Sequence, residues 1–243
     1  MARTFLAASN QYLSVSGTLT MPISMSCWFK ADDVTTQGRL ITVQDMPTNL
    51  DLLGLWAAGT TGGDPLQAIT YDGVTPYAAH TTSGYTAGVW THAACVFSTT
   101  TFRYVYINGG SYGQDFTLSA PSPINTMYIA GAGNIGLFNG TIAEVAIWSG
   151  TGLLLVDVLQ LAKGYSPLLV RPEGLYGYWP LIGRTSPEID LINGNGMALG
   201  NAPGTASSPR IIYPSYPQVG LHFTPASAAS PYMTTSPGLW GPL

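Results

Sequence analysis

Few residues in this chain carry reactive groups, and their spacing decides what chemistry they could support. There are three glutamates, Glu144, Glu173 and Glu188, and three histidines, His80, His92 and His222. Glycoside hydrolysis needs two carboxyl groups flanking one bond, an acid and a nucleophile or base. On a strand such a pair reads Glu-x-Asp, because alternate residues share a face. Glu188-Ile-Asp190-Leu-Ile-Asn193 has that spacing, but Asn193 stands where a third acid would complete the pattern, and Ser186-Pro187 ahead of it reads as loop. Glu144 sits within an apolar strand, where its expected role is structural, accepting hydrogen bonds at the sheet edge. His92 follows Trp90 in a strand and is expected to pack there rather than serve as a base. No Gly-x-Ser-x-Gly elbow is present. Gly131-Ala-Gly133-Asn-Ile-Gly136 matches a phosphate-loop spacing. It lacks the surrounding strand, helix and strand, so it reads as a turn. These residues predict a protein that is not an enzyme.

Binding chemistry is the stronger theme. Sugar sites offer aromatic faces beside polar groups, and Trp56, Tyr71, Tyr77 and Tyr85 are the candidate platforms. Core packing is the competing role for each. Asp32, Asp33, Asp45, Asp51, Asp64 and Asp72 fall in the first third of the chain. Calcium takes six to eight oxygens, and only Asp32-Asp33 cluster. No cofactor is expected, and calcium stays open as an alternative. Cys27 and Cys95 lie within strands and read as buried free thiols, without the clustered histidines of a zinc site.

The elements that must position these groups are strands. The runs are 4–8, 11–15, 24–31, 39–43, 50–58, 66–71, 77–82, 89–98, 102–107, 127–130, 141–148 and 175–181, most of them bounded by Gly, Pro, Asn, Asp or Ser. Asn108-Gly109 closes one strand with the strongest short hairpin signal, since both residues tolerate positive φ. Along 141–148, alternation puts Ile142, Glu144, Ala146 and Trp148 on one face and Ala143, Val145 and Ile147 on the other. Leu153–Ala162 reads as the single helix, with Gly164 as its C′ residue.

Composition limits the partners. Of 243 residues only 8% are charged, against roughly 25% in ordinary soluble domains, and the net charge is −4. No basic field exists to attract nucleic acid. No run of about 18 apolar residues marks a membrane helix. The apolar stretch after Met1 is too short for a secretory signal, so synthesis in the cytoplasm is expected. A neutral polar surface of this kind suits a protein that packs against neighbours, and a homo-oligomer is expected.

Several motifs in order resemble one family. Ile23-Ser-Met-Ser-Cys-Trp-Phe-Lys30, Trp90-Thr-His-Ala-Ala-Cys-Val-Phe97, Val105-Tyr-Ile-Asn-Gly109, Phe138-Asn-Gly-Thr-Ile-Ala-Glu-Val-Ala-Ile-Trp148 and Leu175-Tyr-Gly-Tyr-Trp-Pro-Leu181 are similar to the successive strands of laminin-G-like, concanavalin A-like lectin and glucanase jelly rolls. The resemblance covers about residues 2–200. It implies an all-β sandwich of two antiparallel sheets with one short helix near 153–162. Gly164 to Glu173, Trp179-Pro-Leu181 and Ser186-Pro-Glu-Ile-Asp190 resemble a subgroup frequent among tailed-bacteriophage proteins.

Composition changes near residue 205. Seven prolines punctuate 209–243, whose single charge is Arg210. Proline at this density excludes a long helix and favours extended backbone. The expected organisation is a jelly roll over 1–205 and an extended C-terminal arm over 206–243. Tyr213, Tyr216, Phe223, Tyr232 and Trp240 are the arm's expected partner-binding anchors. The leading expectation is therefore a non-enzymatic virion structural protein, decorating a capsid or forming an appendage of a tailed phage. Its partners would be other virion proteins or copies of itself. The alternative is a carbohydrate-binding adhesin that touches host surface glycans. Deletion of 206–243 is expected to leave the sandwich folded.

Overall fold

The computed structural model describes residues 1–46, 51–121 and 123–214. Apolar residues alternate with polar or small ones along most of the chain, and the strands follow that pattern. In chain order they are β1 (Ala2–Phe5), β2 (Tyr12–Ser16), β3 (Ile23–Ala31), β4 (Gln37–Gln44), β5 (Asp51–Ala58), β6 (Pro65–Asp72), β7 (Pro76–Gly84), β8 (Thr91–Phe97), β9 (Arg103–Ile107) and β10 (Tyr112–Asp115). Then come β11 (Thr126–Ile129), β12 (Gly140–Ser149), helix α1 (Leu155–Ala162), β13 (Leu175–Trp179), β14 (Ala198–Gly200) and β15 (Gly204–Ala206).

Two antiparallel sheets result. One runs β10-β9-β8-β3-β12-β1-β15, with β13 also paired to β12. The other runs β14-β2-β11-β4-β5-β6-β7. This is the jelly-roll sandwich. Its core lies between the sheets, where Phe29, Leu55, Phe97, Val105, Ile129, Val145 and Trp179 are buried together. Burying such side chains contributes about 1.5–3 kcal/mol each before entropy is counted. A second cluster, with Trp148, Val158, Leu161 and Tyr178, seats α1 on the outside of the eight-stranded sheet.

Several local expectations need correction. The strand expected over 4–8 ends at Phe5, because Ala7–Ser9 form a 3-10 turn that closes on Asn10 at φ 51°. The helix starts at Leu155 rather than Leu153, since the Asp157 carboxylate accepts the Leu154 N–H at 2.8 Å and fixes the first turn there. Gly164 does sit just past the helix, at φ 89°. Strands β10, β14 and β15 are too short and polar to stand out in the sequence.

Alternation along β12 is broken at Glu144. This residue has φ 55°, and the pairing with β3 slips between Ala143 and Ala146. The extra residue shifts parity. Ile142 therefore joins Val145 and Ile147 in the central core, while Ala146 and Trp148 face the helix. The bulge also divides one edge of β12, with β1 pairing to 140–142 and β13 to 145–148.

The boundary at 205 lies inside the fold. Ala206 pairs with Ala2 in β15, and Ile212 bridges to Tyr165 beside the helix. Cys27 and Cys95 are buried free thiols whose pKa values burial raises. Among the described residues no helix is long and apolar enough to cross a membrane, and no three Asp, Glu, His or Cys side chains gather as a metal site.

Candidate functional site

The outer face of the seven-stranded sheet carries a groove of about 630 Å³. Register alone assembles its floor. Across β4, β5, β6 and β7 the first row is Arg39, Trp56, Gln67 and His80. The second is Thr42, Gly54, Ile69 and Ala78, and the third is Gln44, Leu52, Tyr71 and Pro76. Residues two apart on each strand share this face, while Leu53, Leu55, Leu66 and Ala68 point into the core. A slip in the β4–β5 register between Arg39 and Ile41 lets Leu40 and Ile41 both turn inward.

The middle row leaves room for the first. A Cβ on Gly54 would lie 2.2 Å from Trp56 Nε1, so the indole covers the glycine. Its Nε1–H donates to Thr42 Oγ1 at 3.2 Å. The Arg39 guanidinium lies over the same ring, 4.5 Å from the centroid. Trp56 is consequently only 8% exposed. Leu52, Trp56 and Ile69 form a small apolar floor against which Tyr71 packs.

Polar groups line one end in a chain. Gln37 Nε2 donates to Gln67 Oε1 at 3.1 Å. Gln67 Nε2 lies 2.7 Å from His80 Nε2. The two amides and the imidazole thus form one continuous hydrogen-bonded row. Among the described residues no Asp or Glu lines the groove.

The four expected sugar platforms separate. Trp56 and Tyr71 share the groove, but Arg39 covers the indole, so the open aromatic face is that of the half-buried Tyr71. Tyr77 does not join them. It pairs with Thr70, one residue off the groove parity, and its ring lies 6.0 Å from the Arg103 guanidinium of the opposite sheet. Tyr85 is a core residue packed edge-on against Phe29, which removes it as a platform; burial pushes its pKa up to about 12. Sequence reasoning missed Arg39, Gln37, Gln67 and His80. Period-two alternation of Gln67, Ile69 and Tyr71 against Leu66, Ala68 and Thr70 was the available signal.

Of the five arm anchors, Tyr213 donates its hydroxyl to Glu144 of its own sandwich at 2.9 Å. Tyr216, Phe223, Tyr232 and Trp240 lie outside the described residues. Glu144 is buried, and Tyr178 donates to its other oxygen. Burial raises its pKa, opposed by these hydroxyls.

The acids of the partial Glu-x-Asp pattern are both engaged. Glu188 is buried against Arg3, Nε to Oε1 2.5 Å. Asp190 accepts backbone N–H groups from Tyr178, Ile192, Asn193 and Asn195 at 2.9–3.2 Å. His92 is buried with its ring 5.4 Å from Trp28, and desolvation lowers its pKa to about 3.

A family model matches residues 7–151, and the chain belongs to the concanavalin A-like lectin/glucanases superfamily. Two solved structures repeat the fold at low identity, and a third is similar over part of the chain. A heptameric serum-amyloid-P-like pentraxin from Limulus polyphemus is 15% identical over 82% of this chain and 94% of its own, with a TM-score of 0.57. A putative carbohydrate-binding protein from Bacteroides ovatus is 20% identical over 85% of this chain and 61% of its own, with a TM-score of 0.56. Domain 4 of an extracellular arabinanase from Geobacillus stearothermophilus, solved with arabinotriose, is 23% identical over 60% of this chain and 68% of its own, with a TM-score of 0.48. No curated protein matches the chain.

Proposed function

We propose that this protein is a non-catalytic carbohydrate-binding module and that the groove on the seven-stranded sheet is its site. The observation that carries this reading is the convergence in one groove of Tyr71, Gln37, Gln67 and His80 on an apolar floor. A pyranose presents an apolar face and a rim of hydroxyls. Tyr71 suits the first, and fixed amide and imidazole groups suit the second. The fold shared with the putative carbohydrate-binding protein from Bacteroides ovatus accommodates this use. The engagement of Glu188 and Asp190 in structural bonds supports action without hydrolysis. A glycan array tests the reading. Binding that is lost in Tyr71→Ala and kept in Tyr77→Ala is the expected result. An empty array would overturn it.

A second reading concerns where the module works. A tailed-phage virion protein, held in its particle through contacts of the C-terminal arm, is favoured by one surface feature. Leu154, Leu155, Val156 and Leu159 of the helix region are 39–56% exposed, close to where Ile212 docks. With only 8% charged residues, such a surface suits burial against virion neighbours or further copies of the chain. A version ending at Pro214 is expected to fold and to fail to enter particles. Normal incorporation of that version would defeat this reading.

A further inference from the structure

We infer that the groove takes an anionic saccharide, a sugar bearing a carboxylate or a sulfate, and that Arg39 is the residue that binds its charge. The inference rests on the carbohydrate reading above and names the ligand class of that same site.

Arg39 differs from the other arginines that the fold draws inward. Arg3 pairs with Glu188, Arg103 with Asp115 and Arg171 with Asp157. Among the described residues no carboxylate lies within ion-pair distance of Arg39, and its guanidinium makes no hydrogen bond to them. Yet it is half-buried, and desolvation lowers its pKa. A partly desolvated cation without a counter-charge is costly to hold. An anion arriving in the groove would offset that cost, and the planar guanidinium offers paired N–H donors that match a carboxylate or sulfate edge.

The seat is built rather than incidental. Trp56 supports the guanidinium from one side by a cation–π contact. Gly136 supports the stem. A Cβ there would lie 2.4 Å from Arg39 Nε and 2.7 Å from its Cδ, and Gly136 has φ 61°. Its carbonyl accepts the Arg39 backbone N–H at 2.9 Å. The glycine pattern 131–136 is thus a turn with a task. It closes on an Ala132–Ile135 bridge and places Gly136 where only glycine leaves room for Arg39.

The surroundings select a sugar over an acidic peptide. Peptides that add to sheets use free backbone groups at an edge. This groove lies on a sheet face, where β4, β5 and β6 are paired on both sides. Side chains do the recognising, and Gln37, Gln67 and His80 stand in the same end of the groove as Arg39.

Calorimetric titration of the full chain tests the inference. The probes are an oligogalacturonide, a sulfated oligosaccharide, a neutral oligosaccharide of each backbone, and oligoglutamate. One acidic sugar is expected to bind about tenfold or more tighter than its neutral counterpart. Added salt should weaken that preference. Arg39→Gln should erase it, and Arg39→Lys should keep part of it, with unchanged thermal midpoints showing that both variants fold. The carboxylated and sulfated arms decide which anion is preferred. Equal binding of neutral and acidic sugars, or a preference that survives Arg39→Gln, would overturn the anion assignment and leave the carbohydrate reading standing. Binding of oligoglutamate alone, or of nothing, would overturn both.

Discussion

The phenol of Tyr213 donates a 2.9 Å hydrogen bond to Oε1 of Glu144, which lies 69 residues earlier in the chain at the bulge of β12. Tyr178 donates to the other oxygen of the same carboxylate. The start of the proline-rich arm is therefore stitched to the eight-stranded sheet at the point where that sheet changes partner. Buried carboxylates are costly unless hydrogen-bonded, and two phenols reduce that cost here. Tyr213→Phe is expected to lower stability by about 1–2 kcal/mol, measured by urea unfolding. An unchanged midpoint would mean the bond contributes nothing.

Glu144 also sets a pH dependence. Its folded-state pKa is raised, chiefly by desolvation. The folded protein therefore holds this proton more tightly than the unfolded chain. The stability tied to the protonated form is fully present below the ordinary glutamate pKa and is lost as pH rises through the raised value. Glu144→Gln mimics the protonated state at every pH. Wild type is expected to lose thermal stability relative to this variant as pH rises from the ordinary glutamate value of about 4.3 through the raised one. A constant difference across that range would contradict the assignment.

His92 has the opposite sign. Desolvation lowers its folded-state pKa to about 3, and among the described residues its Nδ1 has no hydrogen-bond partner. Its contribution is full above the ordinary histidine pKa of about 6.5 and declines as pH falls toward the lowered value, by at most about 1.4 kcal/mol per pH unit. His92→Gln removes the titration. The variant should show a shallower loss of stability between about pH 6.5 and about pH 3 than wild type, read by thermal melts. Parallel acid limbs would count against a neutral, buried His92.

Much of the scaffold was legible because local rules and tertiary packing agree. Asn108 and Gly109 both have positive φ, and the β9–β10 hairpin turns there as the pair predicted. Gly164 ends the helix for the same reason. The bulge was not legible, since nothing about Glu144 announces a positive φ in a non-glycine residue. That one residue reversed the face assigned to Ile142. The groove was half legible. Trp56 and Tyr71 stand out as aromatics, but Arg39 acquires its role only when register sets it beside Trp56 and a distant turn brings Gly136 against its stem. Tyr77 and Tyr85 misled because composition carries no parity. One falls on the wrong side of β7, and the other packs into the core.

Truncation separates the fold from the arm. Ala206 pairs with Ala2, and Ile212 exchanges backbone hydrogen bonds with Gly164 and Ser166 at 2.7 and 2.9 Å. Removing 206–243 discards all of these together with the Tyr213 bond. Ending the chain at Pro214 keeps them. The shorter deletion is expected to melt within a few degrees of the full chain. The longer one should melt clearly lower, by about 4 °C or more. Equal midpoints for the two would show that 206–214 adds nothing to the sandwich.

Gly54 is where the groove and the fold depend on the same atom. Its missing side chain is filled by the Trp56 indole, whose Nε1 would sit 2.2 Å from an added Cβ. Trp56 is held on that side by the bond to Thr42 and on the other by Arg39. It cannot move outward without displacing the guanidinium, nor inward through a paired sheet. Gly54→Ala is therefore an overpacking change, expected to cost about 1–3 kcal/mol in urea unfolding. Trp56→Leu in the same background relieves the clash. The double variant should regain most of the lost stability, because the two positions share one contact. Additive losses would show that the indole does not occupy the Gly54 site.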